Sequence, residues 1–209
     1  MFKQWFPGLI LALLFTTQVS AQQAFKEGVD YRRVDPVVKT TNPEKIVVTE
    51  LFWYGCPHCF RFEPYVEKWV KTMLEGVIFE QVPSTLNPRW IEHARTFYAL
   101  KMMGAPSQTH KAFFDAIHIK RQRLTSIDAI GKFIEAQGLD QSKFREQYNS
   151  FPVDTQIRKN NQKEKRYGHS GVPTVIVNGK YMTSGGMAGS FDRLLNIIDF
   201  LVASELKSR

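Results

Sequence analysis

The first apolar segment to stand out spans residues 46–54, where only Thr49 and Glu50 interrupt β-branched, aliphatic and aromatic side chains. A short run of this kind, without alternating polar positions, is typical of a strand buried on both faces of a sheet. The segment therefore predicts a central strand that contains one acid, Glu50.

After this strand, the spacing of the apolar residues changes and predicts a helix. Pro57 suits the first helical position, where its missing N–H would have no partner, and apolar residues then recur every three or four positions. These residues are Phe62, Tyr65, Val66, Trp69, Val70 and Met73. We expect Gly76 to end the helix and residues 77–82, which are apolar and followed by Pro83, to form a parallel strand. Together, these predicted elements form a strand–helix–strand unit.

Residues 88–167 keep a helical period over a long stretch, and turn-forming residues divide them into about four or five helices. The clearest helix begins at the capping residue Ser126 and ends at Gly138. The other breaks fall at residues 104–106, 124–126 and 151–152. The pattern predicts a helical block that separates two sheet-forming parts.

The last part of the chain returns to strands. Residues 172–177 predict one strand, and the Asn-Gly pair at 178–179 is a strong hairpin signal that folds residues 180–183 back onto it. Two glycines at 185–186 lead to a final helix capped by Ser190. Its buried face would contain Phe191, Leu194, Leu195, Ile198 and Leu201.

The amino terminus has the pattern of a secretory signal peptide. One base, Lys3, precedes an apolar stretch at 7–15 and small residues at 19–21, which is the order of regions in export signals. We expect cleavage after Ala21. The alternative, an uncleaved anchor, is disfavoured because the stretch is well short of the ~20 residues that a membrane-spanning helix needs.

Charge and length narrow the function classes. The 209 residues contain 28 Lys and Arg against 20 Asp and Glu. Removing residues 1–21 takes away only Lys3, so 188 residues remain with 27 bases, 20 acids and a net charge of +7. This length suits one domain with a substantial insertion. The bases are densest at 158–166, where polar residues separate them as on a solvated helix face, and no stacking-aromatic motif accompanies them, which argues against nucleic-acid binding.

The only two cysteines form the tetrapeptide Cys-Pro-His-Cys at residues 56–59. A disulfide between them closes a loop too short to restrain much of an unfolded chain, because stabilisation by this route grows with loop length. The pair therefore indicates a bond that is exchanged. The alternatives are a structural disulfide and half of a zinc site. A zinc site would need a second pair of ligands. The remaining candidate ligands are scattered along the sequence without ligand spacing, at His93, His110, His118 and His169.

Three segments carry a resemblance to known proteins: Glu-Leu-Phe-Trp-Tyr-Gly-Cys-Pro-His-Cys at 50–59, Gly-Val-Pro-Thr at 171–174 and Val-Asn-Gly-Lys-Tyr at 177–181. They resemble the DsbA family of periplasmic thiol:disulfide oxidants, which belongs to the thioredoxin superfamily. The resemblance covers nearly the whole mature chain. It implies an α/β, thioredoxin-like fold with a helical domain inserted between a β-α-β half and a β-β-α half. The expected division is a signal peptide at 1–21, thioredoxin-like parts at 22–87 and 168–209, and a helical insertion at 88–167.

The resemblance also implies the activity and its partners. A family member of this kind donates its disulfide, here Cys56–Cys59, to exported, folding proteins with free thiols, and a quinone-linked membrane partner of the DsbB type reoxidises it. It would be a periplasmic monomer whose only redox group is that disulfide, with no diffusible cofactor and no metal. Two alternatives stay open. One is an isomerase or reductase on the same fold, although residues 22–45 are too short for the dimerisation domain usual in isomerases, and the other is a peptide-binding chaperone.

The position of Cys56 gives a physical reason for oxidising power. As the N-cap of the predicted helix, its sulfur would face the N–H groups of His58 and Cys59 and the positive end of the helix dipole, which favour a thiolate. Pro57 takes the one position that needs no donor. His58 adds a ring N–H or, when protonated, a positive charge. We expect these groups to lower the pKa of Cys56.

Cysteines in such settings have pKa values of roughly 3.5 to 7.5, and the low end of that range comes from the very family that this chain resembles. If Cys56 titrated near ~4, its thiolate would be favoured at pH 7 by roughly 4 kcal/mol. Stabilising the reduced form in this way would make the disulfide more oxidising by on the order of 90 mV. Cys59, on the same side of the helix and more buried, would close the disulfide.

The acid in the first strand has a role implied by the resemblance. Glu50 would be a buried carboxyl that relays a proton for Cys59, whereas the alternative is a strand-edge carboxylate that points to water. In the family a lysine on the neighbouring strand commonly accompanies this acid, and the corresponding position here is Gln81. With an amide in place of a counter-charge, burial would raise the pKa of Glu50.

The resemblance implies a cis peptide bond between Val172 and Pro173, packed against the cysteines, and the alternative is an ordinary trans proline that opens a strand. Because proline cannot donate to a sheet, Val172 would be free to hydrogen-bond an extended substrate chain. An adaptable apolar surface for substrates is also needed. The candidates, each of which suits the core as well, are Phe60, Phe62, Met182 and Met187.

Overall fold

The computed structural model describes residues 25–209. The predicted signal peptide, residues 1–21, lies outside the described residues. In the described part of the chain, no helix is both long enough and apolar enough to cross a membrane.

Five strands form one sheet. They are β1 (Arg32–Arg33), β2 (Ile46–Phe52), β3 (Val77–Pro83), β4 (Thr174–Val177) and β5 (Tyr181–Ser184). The strand order is β1-β5-β4-β2-β3. β2 pairs in parallel with β3, and the other pairs are antiparallel. Every residue of β2 is buried, as its uninterrupted apolar run predicts.

Eight α-helices follow in the described residues, together with a 3-10 turn at Pro88–Trp90. They are α1 (Pro57–Val70), α2 (Ile91–Met102), α3 (Ser107–His118), α4 (Ile127–Ala136), α5 (Gln141–Tyr148), α6 (Phe151–Tyr167), α7 (Gly185–Ala188) and α8 (Phe191–Lys207). The unit β2-α1-β3 is one half of the fold, and β4, β5 and α8 form the other. Because α2 to α6 lie between them in the chain, the predicted thioredoxin-like class with a helical insertion is confirmed.

Local sequence signals explain most of the element boundaries. The hydroxyls of Ser126 and Ser190 accept hydrogen bonds from backbone amides in the first turns of α4 and α8, as predicted. The hairpin between β4 and β5 turns at Asn178 and Gly179, both at positive φ. Only glycine fits at the second position, because a Cβ on Gly179 would lie 1.8 Å from the carbonyl oxygen of Val38.

Helix α1 differs from the prediction at its carboxyl end. It ends at Val70, not at Gly76, and Lys71 is its C-cap. Gly76 instead lies at φ +84° in the turn that enters β3, where a left-handed residue is needed. The buried face of α1 is also narrower than predicted, since Tyr65 and Val70 are exposed. Its buried residues are Cys59, Phe62, Val66 and Trp69.

Two elements had no sequence prediction. The edge strand β1 has only two residues, and α7 is a single turn that starts at the predicted glycine pair. Strand β4 also starts at Thr174, two residues later than predicted. These short elements carry too few residues to give a periodic pattern.

The core positions the cysteine pair at the junction of the two parts. One cluster joins Phe52, Tyr54, Cys56 and Cys59 to side chains of the insertion such as Phe113. A second cluster packs α1 and β2 against α8. The first turn of α1 is therefore fixed between the thioredoxin-like part and the helical insertion.

Candidate active site

The two cysteines lie at the amino terminus of α1 and differ in exposure. Cys56 is the N-cap, with extended backbone angles, and Pro57 occupies the first turn as predicted. Cys56 is 8% exposed, whereas Cys59 is completely buried. Both are free thiols, and the Cys56 thiol donates a hydrogen bond to the carbonyl oxygen of Val172 at 3.4 Å.

The environment lowers the pKa of Cys56 to about 6. The largest cause is a hydrogen bond from the Cys59 thiol, which outweighs the opposing effect of burial, and the backbone N–H groups of Cys59 and His58 add to it. These N–H groups belong to the first turn of α1, so the helix start contributes to stabilising the thiolate.

The direction of this shift agrees with the sequence prediction, but the value lies above the ~4 used in that reasoning. Partial burial of Cys56 opposes the shift, because it penalises the charged form. A pKa of about 6 favours the thiolate at pH 7 by about 1.4 kcal/mol. The corresponding gain in reduction potential is about 30 mV, compared with about 90 mV for the lower value.

The pKa of Cys59 moves the opposite way. Burial raises it well above the ordinary value, and the neighbouring Cys56 and Glu50 raise it further. The two thiols of one motif are therefore electrostatically unequal. Cys56 is suited to be a thiolate and a leaving group, whereas Cys59 is suited to hold its proton.

His58 is exposed, and its ring contacts a second basic residue. Nη2 of Arg61 lies 3.0 Å from Nδ1 of His58. A guanidinium can only donate, so Nδ1 is unprotonated in this arrangement. A positive charge on His58 lowers the pKa of Cys56 less than the other causes above. Nδ1 can carry the proton for that charge only if the contact with Arg61 opens.

Glu50 is completely buried, so the alternative of a strand-edge carboxylate that faces water is wrong. The β2–β3 register places Glu50 opposite Gln81, and Nε2 of Gln81 donates to Oε2 of Glu50 at 3.0 Å. The other oxygen, Oε1, has no partner. Burial raises the pKa of Glu50 well above its usual range, with a further contribution from Glu63, and the Gln81 hydrogen bond only partly offsets it.

The structure brings further polar groups to this acid. The same Nε2 of Gln81 donates to Oε1 of Glu63 at 2.7 Å, and Nε2 of His110 lies 3.4 Å from the other oxygen of Glu63. Nδ1 of His110 lies 2.7 Å from the hydroxyl of Tyr54. Glu63 could have been found, because it follows Cys59 by four residues on one helix face. His110 comes from α3, and no sequence signal placed it here.

The bond between Val172 and Pro173 is cis, so the trans alternative is wrong. Both ladders of β4 begin at Thr174, which leaves Val172 outside the sheet pairing, next to the Cys56 thiol. A groove of about 710 Å³ adjoins this loop. Its lining includes Arg61, Met182 and Phe191.

The candidate apolar residues separate into groove and core. Phe62 is 1% exposed and packs between α1 and α8, so it is a core residue. Met182 is buried but borders the groove. Phe60 lines a different cleft between α1 and α3, and Met187 packs beside the cluster that contains Met182.

Each of the four remaining histidines contacts a different hydrogen-bonding atom. Besides His110, His93 contacts the carbonyl of Leu124, His118 contacts the carbonyl of Tyr54 and His169 contacts a buried glutamate. In residues 25–209, no three His, Cys, Asp or Glu side chains are arranged to hold a metal ion.

Comparison with known proteins identifies the family. A family model described as a DSBA-like thioredoxin domain matches residues 69–198, a span that begins after the cysteines and so does not depend on them. The thiol:disulfide interchange protein DsbA of Pseudomonas aeruginosa is 36% identical over 197 residues, which cover 94% of this chain and 93% of that protein. The chain belongs to the DsbA family.

Other DsbA proteins agree with this assignment. DsbA of Burkholderia cepacia is 39% identical over 158 residues, which cover 76% of this chain and 74% of that protein. The crystal structure of Pseudomonas aeruginosa DsbA matches with a TM-score of 0.84 at 35% identity, covering 88% of this chain and 96% of that one. For the oxidoreductase DsbA of Xylella fastidiosa the TM-score is 0.79 at 28% identity, with 85% and 96% covered. This DsbA-family chain is a thiol:disulfide oxidoreductase.

Proposed function

We propose that this protein is a periplasmic oxidase that donates the Cys56–Cys59 disulfide to exported, folding proteins. The observation that carries the proposal is the unequal placement of the two cysteines, since Cys56 is the N-cap of α1 beside Val172 whereas Cys59 is completely buried. This placement lowers the pKa of Cys56 to about 6 and raises that of Cys59. A stable Cys56 thiolate favours the reduced form, so the oxidised form tends to pass its bond on.

The proposed reaction has two exchanges. A substrate thiolate attacks the Cys56 sulfur of the disulfide, forms a mixed disulfide with it and displaces Cys59 as a thiolate. A second substrate thiolate then attacks the substrate sulfur of the mixed disulfide, which closes the substrate disulfide and releases Cys56 as a thiolate. The substrate loses two electrons, which the two cysteines retain.

Glu50 would serve the first exchange as a proton donor. Its raised pKa keeps the buried carboxyl protonated, and the raised pKa of Cys59 makes that sulfur the better base once it leaves as a thiolate. The proton therefore passes from Glu50 to Cys59. When the disulfide forms again, the proton returns by the reverse path. Pro57, His58 and Glu50 would together tune the redox properties of the two cysteines.

Val172 and Pro173 would bind the substrate beside this pair. Val172 lies outside both ladders of β4, which leaves its backbone next to Cys56 for an extended substrate chain. The adjoining groove supplies apolar surface from Met182 and Phe191 and one guanidinium from Arg61. Such a surface suits unfolded proteins of varied sequence that carry free thiols.

The remaining parts of the proposal follow from family membership and the sequence. The enzyme would act as a monomer after removal of residues 1–21, with thioredoxin-like parts at 22–87 and 168–209 around the insertion at 88–167. A quinone-linked membrane partner of the DsbB type would reoxidise it. The disulfide itself would be its only redox group, with no diffusible cofactor.

Trapping of the mixed disulfide tests the proposed function. A Cys59→Ala variant, charged with an activated thiol and mixed with a reduced unfolded protein that carries a single cysteine, should accumulate a covalent complex through Cys56. A Cys56→Ser variant should neither form this complex nor oxidise the substrate. If Cys56→Ser protects the unfolded protein and oxidises it as well as the wild type does, the cysteines are incidental, as in a chaperone.

A further inference from the structure

A buried polar cluster adjoins the loop that carries Val172 and Pro173. His169 directly follows Gly168, the left-handed C-cap of α6. The side chain of His169 has no exposed surface, and that of Glu164 on α6 is only 3% exposed. The proposed exchange reaction uses neither residue.

Both ring nitrogens of His169 face hydrogen-bond acceptors. Nε2 lies 2.9 Å from Oε2 of Glu164, and Nδ1 lies 3.0 Å from the carbonyl oxygen of Gly171. Because a carbonyl oxygen can only accept, Nδ1 carries the proton that binds the Gly171 carbonyl, and Nε2 faces the carboxyl group of Glu164. The ring therefore bridges α6 and the loop that follows it.

Three further hydrogen bonds hold the carboxyl group of Glu164 in place. It accepts from the Ser84 hydroxyl at 2.6 Å, the Thr85 amide at 2.7 Å and the Thr85 hydroxyl at 2.9 Å. These contacts fix the carboxyl group beside the imidazole of His169. The guanidinium at this end of α6, from Arg32 on β1, binds the carbonyl of Gly168 at 2.8 Å. Arg32 therefore does not compete with His169 for the carboxyl group of Glu164.

The histidine acts on the substrate loop through one carbonyl. The oxygen of Gly171 accepts from Nδ1 of His169 and also from the Thr174 hydroxyl at 2.7 Å. A Cβ on Gly171 would meet no atom within 4 Å, so no side-chain packing holds this residue. The two hydrogen bonds to its carbonyl hold it instead. The next residue is Val172, whose carbonyl contacts the Cys56 thiol.

We propose that His169, paired with Glu164, is a positioning residue that fixes the Gly171 carbonyl and so holds the Val172–Pro173 segment where substrate docks. This inference rests on the proposed function and deepens it. Neither His169 nor Glu164 touches a sulfur atom, so the pair acts through the position of the loop, on substrate affinity.

Kinetics of His169→Gln and Glu164→Gln test the inference. The oxidised variants are mixed with a reduced two-cysteine peptide at rising concentration, and single-turnover rates are recorded. The half-saturating peptide concentration should rise at least tenfold, while the limiting rate stays within twofold and the reduction potential is unchanged. His93→Gln is the matched control, because His93 is also buried but contacts the Leu124 carbonyl in the insertion, and it should keep the wild-type values.

Unchanged half-saturation in His169→Gln would overturn the inference, as would a loss confined to the limiting rate. Nitrogen-15 spectra of the imidazoles in the wild-type protein give a test that needs no variant to fold. Nδ1 of His169 should carry a proton, and a bare Nδ1 would refute the hydrogen bond to the Gly171 carbonyl. If the wild-type protein fails to oxidise the peptide, the proposed function fails instead, whereas these spectra still test this hydrogen bond.

Discussion

Replacing Glu50 by glutamine should stabilise the fold, and increasingly so as the pH rises. Burial raises the pKa of Glu50 in the folded protein, whereas an unfolded glutamate titrates near ~4.3. Above ~4.3 the folded state therefore binds more protons than the unfolded state, and its stability falls as the pH rises toward the folded pKa. Glutamine keeps the shape and the contact with Gln81 but has no proton to lose.

The size of the effect follows from linkage. One group that is protonated when folded and ionised when unfolded changes the free energy of unfolding by at most about 1.4 kcal/mol per pH unit. Between pH 6 and pH 8 the wild type should lose up to about 2.7 kcal/mol through this group alone. The difference between Glu50→Gln and the wild type should grow by the same amount.

Urea unfolding of the disulfide-bonded proteins at several pH values measures this difference without titration of the thiols. Glu80→Gln is the matched control, because Glu80 lies on the adjacent strand β3 and binds the hydroxyls of Thr49 and Thr41; its curve should run parallel to that of the wild type. Gln81→Lys should lower the pKa of Glu50 and weaken the pH dependence. A difference between Glu50→Gln and the wild type that stays constant from pH 6 to pH 8 would refute the reasoning.

Two further changes test the cysteine site and the hairpin. Cys59→Ala should raise the pKa of Cys56 by about one unit, since a hydrogen bond to a charged group is worth ~1.5 kcal/mol or more. Cys59→Ser keeps a donor and should raise it less, and thiolate absorbance against pH records both; equal values for the two variants would count against the hydrogen bond. Gly179→Ala should lower the free energy of unfolding by more than 2 kcal/mol, because its Cβ would meet the Val38 carbonyl. Gly76→Ala, at positive φ with nothing within 4 Å, should cost only about 1 to 2 kcal/mol in the same urea experiment, and equal losses would contradict the clash.

Local patterns in the sequence predicted the parts of the fold and site that depend on local physics. The apolar run predicted β2, and Pro57 predicted the start of α1. The burial of Glu50 and its pairing with Gln81 were implied by the family resemblance and not by the local pattern, and the β2–β3 register confirms the pairing. The predicted end of α1 was wrong, because apolar residues after Val70 continue the helical spacing although the helix has already ended.

The rest of the site depends on contacts between distant segments. His110 reaches Glu63 from α3, and Glu164 reaches His169 only because Gly168 reverses the chain at the end of α6. Each of these histidines looks isolated in the sequence. Their partners are set by packing of the insertion, which no local period encodes.

The reduction potential of the Cys56–Cys59 pair is the most direct test of the central claim. The purified protein is equilibrated with glutathione buffers at pH 7, and its disulfide fraction is quantified. Thioredoxin has a potential of about −270 mV and a cysteine pKa of about 7. With the pKa of Cys56 at about 6, the greater stability of its thiolate should by itself place the reduction potential of this protein on the order of 20 mV or more above that of thioredoxin. A potential at or below that of thioredoxin would contradict the assignment as a disulfide donor.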